Sequence, residues 1–379
     1  MAVIGVVSEQ AGEARVALSP ETVKKFVGLG FQVKVAAGAG AGSHFSDASF
    51  RENGAEIVPS AAAALESADI VLKVGRPTTE ELGMMKSGAM LAAVLNPYDD
   101  RPGLEALAQT GAIAFAMEFM PRISRAQSMD VLSSQANLGG YKAVIDAAAA
   151  FERAMPMMMT AAGTVPAARV FVMGVGVAGL QAIATARRLQ SVVTATDVRP
   201  AVKEQVKSLG AKFIAVEDEE FAQAETAAGY AKPMSEGYQK KQAELVASHI
   251  AAQDIVITTA LIPGRPAPRL VTRAMVESMK PGSIIVDLAA ERGGNCELTK
   301  AGEIVEHNGV RIMGLLNLPG RVPGNASSLY ARNLFAFIET LWDKKTKTIA
   351  INWDDEIVKG TLIARDGQIV HPSLTGAKA

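Results

Sequence analysis

The sequence predicts an α/β protein made of two Rossmann-like, doubly wound domains with a cleft between them, the first discontinuous and completed by the C-terminal tail. Three observations lead there. Short β-branched runs alternate with helical patterns through most of the chain, the rhythm of parallel sheets with helices on both faces. One of these units carries a full glycine fingerprint with an acid behind it. After Pro323-Gly324 the rhythm changes to one long helix and several short strands, which suits a tail returning to an earlier sheet. The expected boundaries are residues 1–132 with 325–379 for the N-terminal domain and 133–324 for the nucleotide-binding domain.

In the N-terminal domain, residues 3–7 read as the first strand, and Ser19-Pro20-Glu21 caps a helix that ends near Gly28 to Gly30. Strands are expected over 31–36, 56–58, 69–74, 89–95 and 112–117, with helices over 47–53, 61–67 and 103–109. Residues 126–150 look helical after a first turn and cross between the domains. The central region has strands over 170–173, 192–196, 212–216, 254–259, 283–288 and 310–314, the six of a full dinucleotide-binding sheet. In the tail, 327–342 reads as an amphipathic helix, and 348–352, 357–364 and 368–370 read as strands. The Met-rich run 155–159 suits packing between domains better than a ligand box. Gly38-x-Gly40-x-Gly42 lacks a following helical pattern and reads as a loop.

The fingerprint is RVFVMGVGVAGLQAIATARRLQSVVTATDVR, from Arg169 to Arg199. Gly174 permits the tight strand-to-helix turn, Gly176 lets backbone approach a pyrophosphate, and Gly179 lets the helix lie close on the sheet. Free N–H groups at the helix start face the phosphates. Asp197 ends the second strand, close to the usual ~20 residues further on, where a carboxylate accepts from both ribose hydroxyls. This acid favours NAD over NADP, since a 2′-phosphate would meet its charge. Arg199, two residues later, could serve a 2′-phosphate, but the acid weighs more.

Composition narrows the function. With Lys+Arg 38 against Asp+Glu 39, no basic excess points to nucleic acid or an anionic membrane. The single cysteine, Cys296, excludes an internal disulfide and fits a reducing compartment. No apolar stretch approaches the ~20 residues of a bilayer span, so a soluble cytoplasmic chain is expected. Four scattered histidines, His44, His249, His307 and His371, have no paired spacing, and no metal site is expected.

Two further segments carry chemistry. Between Met120 and Gln135, two arginines, two glutamines, an acid and several hydroxyls follow a buried-looking strand. Open α/β sheets place ligands at such carboxyl ends, although a polar loop leading into a capped helix fits the residue types equally well. The connection from Val216 to Asp254 is too long for a simple crossover, and Gly229, Pro233 and Gly237 make its middle poor helix material. From the residues alone, such a segment suits either a lid or solvent-side packing of Tyr230 and Tyr238.

The stretches GAGAGSHFSD, KVGRPT, PRISRAQSMDVLSSQ, MMMTAAGTVPAARVFVMGVGVAGLQAIATARRL and TTALIPGRPAP, spread over essentially the whole chain, resemble the NAD(H)-binding component, domain I, of proton-translocating nicotinamide nucleotide transhydrogenases. The end at PSLTGAKA resembles the bacterial form, in which this component is a separate subunit. The resemblance implies that Arg122, Gln127, Asp130 and Ser133 form the polar loop beside the nicotinamide and ribose, where hydride moves, with Gln127 orienting the ring. It implies that Gly174, Gly176, Val177 and Gly179 form the pyrophosphate turn, and that Asp197, Val198 and Arg199 form the adenosine ribose end. Gly229 and Tyr230 match a mobile loop that closes over nucleotide, and Ala260 and Leu261 a wall of the pocket. NAD(H) would bind here and NADP(H) on a partner subunit. A separate membrane-spanning subunit would hold the proton channel. The family also implies a homodimer, held peripherally on the cytoplasmic face of the bacterial inner membrane through its partners.

Two other functions compete. The chain is also similar to alanine dehydrogenases, in which Arg15 and Lys73 would bind the substrate's carboxylate and carbonyl. That family's catalytic histidine falls at Asn96 and its aspartate at Glu291. Amino-acid oxidation needs an acid/base group at the reacting carbon, so the missing histidine argues against it. A non-catalytic NAD(H) sensor fits Asn96 equally well but the crowded polar loop less well.

Overall fold

In this computed structural model, which describes residues 1–224, 234–262 and 264–376, the expected alternation produces two sheets, each in its own unit. Residues 1–135 with 320–379 make the first unit and residues 136–319 the second.

The first unit starts with β1 (Val3–Val6), β2 (Gln32–Ala36), β3 (Glu56–Val58), β4 (Ile70–Leu72), β5 (Met90–Ala93) and β6 (Ile113–Ala116). They lie parallel in the order β3-β2-β1-β4-β5-β6. All residues of β4 and β5 are buried, as expected of central strands covered on both faces. Local chemistry sets the helix ends. Ser19 Oγ accepts from Thr22 N at 3.3 Å while Thr22 Oγ1 accepts from Ser19 N at 3.0 Å, which starts the helix Pro20–Leu29. A helix that the sequence pattern does not reveal, Thr79–Met84, is held by a Thr78/Glu81 capping box. Its six residues are too few to display helical periodicity.

The helix Val131–Ala150 carries the chain into the second unit. There, β7 (Met158–Thr160) and β8 (Gly163–Val165) form a hairpin whose six residues are all exposed. The Met-rich run 155–159 leads into this hairpin. Only Met155 is buried, and Met157, Met158 and Met159 stand exposed on or beside the hairpin.

The main sheet of this unit contains β9 (Arg169–Met173), β10 (Val192–Thr196), β11 (Lys212–Phe213), β12 (Ile255–Thr258), β13 (Ile284–Asp287), β14 (Ile304–His307) and β15 (Val310–Met313), in the order β11-β10-β9-β12-β13-β15-β14. The six expected strands are present, though 212–216 shrinks to two residues. The seventh, β14, pairs antiparallel with β15 on the edge. Its two-residue connection, Asn308-Gly309, has φ of 50° and 75°, the pair of left-handed residues that a tight hairpin requires.

The tail returns to the first unit. The helix Pro323–Thr340 buries Tyr330, Leu334 and Phe337 in that unit's core. A small hairpin of β16 (Trp342–Asp343) and β17 (Thr348–Ile349) follows. β18 (Leu362–Arg365) then pairs antiparallel with β6, and β19 (Gln368–Ile369) lies outside it. Residues 357–364 are therefore not one strand as expected. Asp355 Oδ1 accepts from Ile357 N at 2.7 Å and caps a short helix, Glu356–Thr361, before the strand begins. Glycine at position 360 also removes a side chain where a Cβ would come 3.2 Å from Pro121 Cδ.

One buried carboxyl ties two strand ends of the first unit together. Glu118, just after β6, accepts through Oε1 from Leu95 N at 2.8 Å and Asn96 N at 2.5 Å, while its Oε2 is buried with no partner. Burial pushes its pKa up to about 7, against the pull of those N–H groups and of Arg76. Unfolded, the carboxyl titrates near its ordinary 4.5. Between the two values the folded chain keeps a proton that the unfolded chain has lost, so stability declines as pH rises through this window. Glu118→Gln cannot ionise and its oxygen can still accept both N–H groups. We expect its melting temperature, relative to the parent, to climb by several degrees between about pH 5 and about pH 8, one pKa unit being worth about 1.4 kcal/mol. Melting curves across that range check this, and an offset independent of pH would contradict it.

Candidate functional site

The glycine fingerprint forms a turn in which each glycine has a distinct structural reason. Gly174 ends β9 with φ of 98°, and a Cβ there would lie 2.6 Å from Thr259 Oγ1. At Gly179 a Cβ would come within 1.9 Å of Gly174 O, so the helix Val177–Arg188 rests on the turn only because Gly179 lacks a side chain. Gly176 is different. It caps the helix, and a Cβ there would meet nothing within 4 Å. Its open side adjoins the first-turn N–H groups of a twelve-residue helix, which have no intrahelical acceptors. Val177 beside it is 40 % exposed. An anionic pyrophosphate fits this arrangement of bare backbone and orphan donors.

Asp197 stands at the carboxyl end of β10, the strand adjoining β9. Its Oδ2 accepts from Val175 N at 2.7 Å, which links the acid to the glycine turn. Arg199 donates to the same carboxylate from its backbone N and its Nε and Nη2, each at 2.9 Å. Val198 between them is exposed.

On the other side of β9 lies β12. Thr259 Oγ1 donates to Gly174 O at 3.0 Å and pins the turn. The next residue, Ala260, is gripped by the buried Asn295, whose Oδ1 accepts from Ala260 N at 3.0 Å and whose Nδ2 donates to Ala260 O at 2.9 Å. Leu261 then projects with 53 % exposure. Below this, Asp287 is fully buried and accepts from Thr258 Oγ1, Ala289 N, Cys296 N and Thr299 Oγ1. The sequence does not single out Thr259, Asn295 or Asp287. No spacing rule marks a side chain whose task is to hold another residue's backbone.

The polar loop belongs to the first unit. It forms a 3-10 turn, Ser124–Met129, nailed inward by buried Ala126 and Met129. Outward, a two-pronged pair joins Arg125 to Asp355 at 2.8 and 2.9 Å. Asn333 of the tail helix donates to Ser128 O and accepts from Ser134 Oγ, both at 2.7 Å. Arg122, just before this turn, and Gln127 on it are exposed, and the Gln127 side-chain amide makes no hydrogen bond within the described residues. Asp130 and Ser133 are engaged with each other. Asp130 Oδ1 accepts from Ser133 N at 2.9 Å and Oδ2 from Ser133 Oγ at 2.6 Å, at the start of the helix Val131–Ala150. Both readings of this segment therefore have a physical basis, a capped helix and an exposed polar face. Gly229 and Tyr230 lie outside the described residues. Tyr238 is buried rather than solvent-facing, with its hydroxyl donating to Val216 O at 3.1 Å. Burial pushes its pKa up to about 12.

Lys73, Arg15, Asn96 and Glu291 are each engaged within their own unit. Lys73 is fully buried, with Nζ 2.8 Å from Glu81 Oε1, 3.5 Å from Glu9 Oε2 and 3.2 Å from Ser8 O. Burial raises the pKa of Glu9, with Lys73 pulling it back. Arg15 is held by Glu13 at 2.7 and 2.9 Å and by Gln135 Oε1 at 2.8 Å. Asn96 sits in the left-handed region at φ 45°, clamped by Glu118. Glu291 accepts from Asn317 N at 2.7 Å. Among the described residues no group of histidine, cysteine and acidic side chains is placed to hold a metal, and no helix is long and apolar enough to cross a membrane.

Comparison with known proteins agrees with this architecture. The family models described as alanine dehydrogenase/PNT, N-terminal domain and C-terminal domain match residues 5–139 and 143–372. The chain is 58% identical over 373 residues to an NAD(P) transhydrogenase subunit alpha chain of Rhodospirillum rubrum, covering 97% of each. It is 29% identical over 372 residues to the alanine dehydrogenase of Halomonas elongata, covering 96% of this chain and 93% of the other. The solved structure of a transhydrogenase from Sinorhizobium meliloti superimposes with a TM-score of 0.89 at 57% identity, over 97% of this chain and 100% of that one. The chain belongs to the alanine dehydrogenase/PNT family, and within it to the NAD(P) transhydrogenase alpha subunits, which are oxidoreductases.

Proposed function

We propose that this chain is the NAD(H)-binding subunit of a proton-translocating transhydrogenase, exchanging hydride with NADP(H) held on a partner subunit. The observation that carries the reading is the turn from Gly174 to Gly179, with its open face at Gly176 and the acid Asp197 hydrogen-bonded to Val175 N. In this reading the pyrophosphate lies on the helix start, Asp197 takes the adenosine ribose, and Ala260 and Leu261 bound the pocket. Arg122, Gln127, Asp130 and Ser133 attend the nicotinamide end.

Hydride exchange between two nicotinamides asks no proton transfer of the protein. The cofactors supply the chemistry, and the chain supplies orientation and exclusion of water. Reacting carbons must be held near about 3–3.5 Å, so a rigid, exposed amide such as Gln127 suits the task. Amino-acid oxidation is disfavoured on two counts. Asn96 has no titrating group to offer, and Lys73 and Arg15 already have carboxylate partners. The same reading includes a membrane-spanning partner that carries the protons, a homodimer, and a peripheral place on the cytoplasmic face of the inner membrane.

Two substitutions test the assignments. Gln127→Asn should leave NADH binding nearly intact yet slow hydride transfer to the partner by about tenfold or more, because the shortened side chain misplaces the ring. Equilibrium binding beside single-turnover transfer checks this; weakened binding with unchanged transfer would remove Gln127 from that role. Asp197→Ala should weaken NADH by about tenfold, the scale of lost hydrogen bonds to a charged group, and narrow discrimination against NADPH. Titration of both nucleotides checks this, and unchanged selectivity would show that Asp197 is not the ribose acid.

A further inference from the structure

The carboxylate of Asp197 has about four acceptor positions, and four donors already fill them. Two are backbone N–H groups, from Val175 and Arg199, and two are the Nε and Nη2 of the Arg199 guanidinium. The Asp197 side chain is only 7 % exposed, so an ionised carboxylate there needs these partners. Resting on the nucleotide-site reading above, we propose that Arg199 is an internal occupant of the ribose seat. It fills Asp197 when the site is empty and is displaced by the vicinal diol of an adenosine ribose. The two backbone donors stay in place, because they are integral to the turn itself.

This role makes Arg199 a specificity-determining residue with two opposite effects. The diol competes with the guanidinium for the same lone pairs, so Arg199 weakens binding of the unphosphorylated ribose. Its long side chain is 28 % exposed and starts two residues from the acid. Once displaced, it remains within reach of the 2′ position. A 2′-phosphate cannot donate to Asp197, but it can accept two parallel N–H bonds from a guanidinium. Whatever tolerance the site has for a phosphorylated ribose therefore rests on Arg199, while Asp197 acts against it.

The test is equilibrium binding of ADP-ribose and of its 2′-phosphorylated form to the full chain, its Arg199→Met variant and its Arg199→Lys variant. Methionine keeps an apolar stem and removes the donors; lysine keeps the charge and loses the fork. For Arg199→Met we expect ADP-ribose to bind about threefold tighter, the scale of a released, partly exposed ion pair. The phosphorylated ligand should bind more weakly, so that the ratio of the two affinities rises by about tenfold or more. Arg199→Lys should give an intermediate ratio. An equal fall in both affinities in either variant would mean that Arg199 only supports the loop, and would overturn the proposal. Failure of the unaltered, folded chain to bind ADP-ribose would instead remove the nucleotide site itself, and this role with it.

Discussion

The second unit depends on one close approach of backbone to backbone. The helix that follows β9 passes so near the turn that a Cβ at Gly179 would sit 1.9 Å from Gly174 O. No rotamer change relieves such a contact, because the obstacle is main chain. A second approach has the same character, since a Cβ at Gly140 would lie 2.0 Å from Ala178 O. The start of the Val177–Arg188 helix is thus seated on the turn beneath it and against the helix that enters the unit. Its orphan N–H groups acquire a fixed direction, and Gly176 leaves the space before them open. Thr259, just after β12, and Asp197, just after β10, then tie the turn to the strands on either side.

Much of this is legible in the sequence because glycine spacing is a direct statement about backbone approach. The roles expected of Gly174, Gly176 and Gly179 correspond to three different surroundings: a positive φ, an open face and a main-chain contact. The alternation reveals the parallel strands of both sheets, since buried strands of β-branched residues leave a strong pattern. Short elements are harder to read. The Thr79–Met84 helix and β14 escape the pattern although each has a local signature, a capping box and an Asn-Gly turn. The Glu356–Thr361 helix reads as a strand because its apolar residues, Ile357 and Val358, are β-branched. Side chains that act on another residue's backbone, such as Asn295 on Ala260 and Glu118 on Asn96, leave no periodic trace at all.

In the first unit, Lys73 and Arg15 are both neutralised by carboxylates of the same unit. A fully buried lysine is tolerable only with such partners, so a free substrate carboxylate would have to displace ones already seated by folding. At Asn96 the backbone is held by Glu118 in a conformation that asparagine tolerates better than most residues. What the unit presents outward instead is the Ser124–Met129 turn, made rigid from both sides and carrying polar groups without acid/base duty.

On the function proposed above, this chain passes hydride only to a nucleotide on another protein. Rapid-mixing absorbance tests it most directly: the purified chain loaded with an oxidised NAD analogue is mixed with an NADPH-loaded soluble form of the NADP-binding partner. Fast reduction of the analogue, dependent on both proteins, is the predicted result. Reduction of NAD by alanine on this chain alone, or no transfer although the partner is bound, would contradict it.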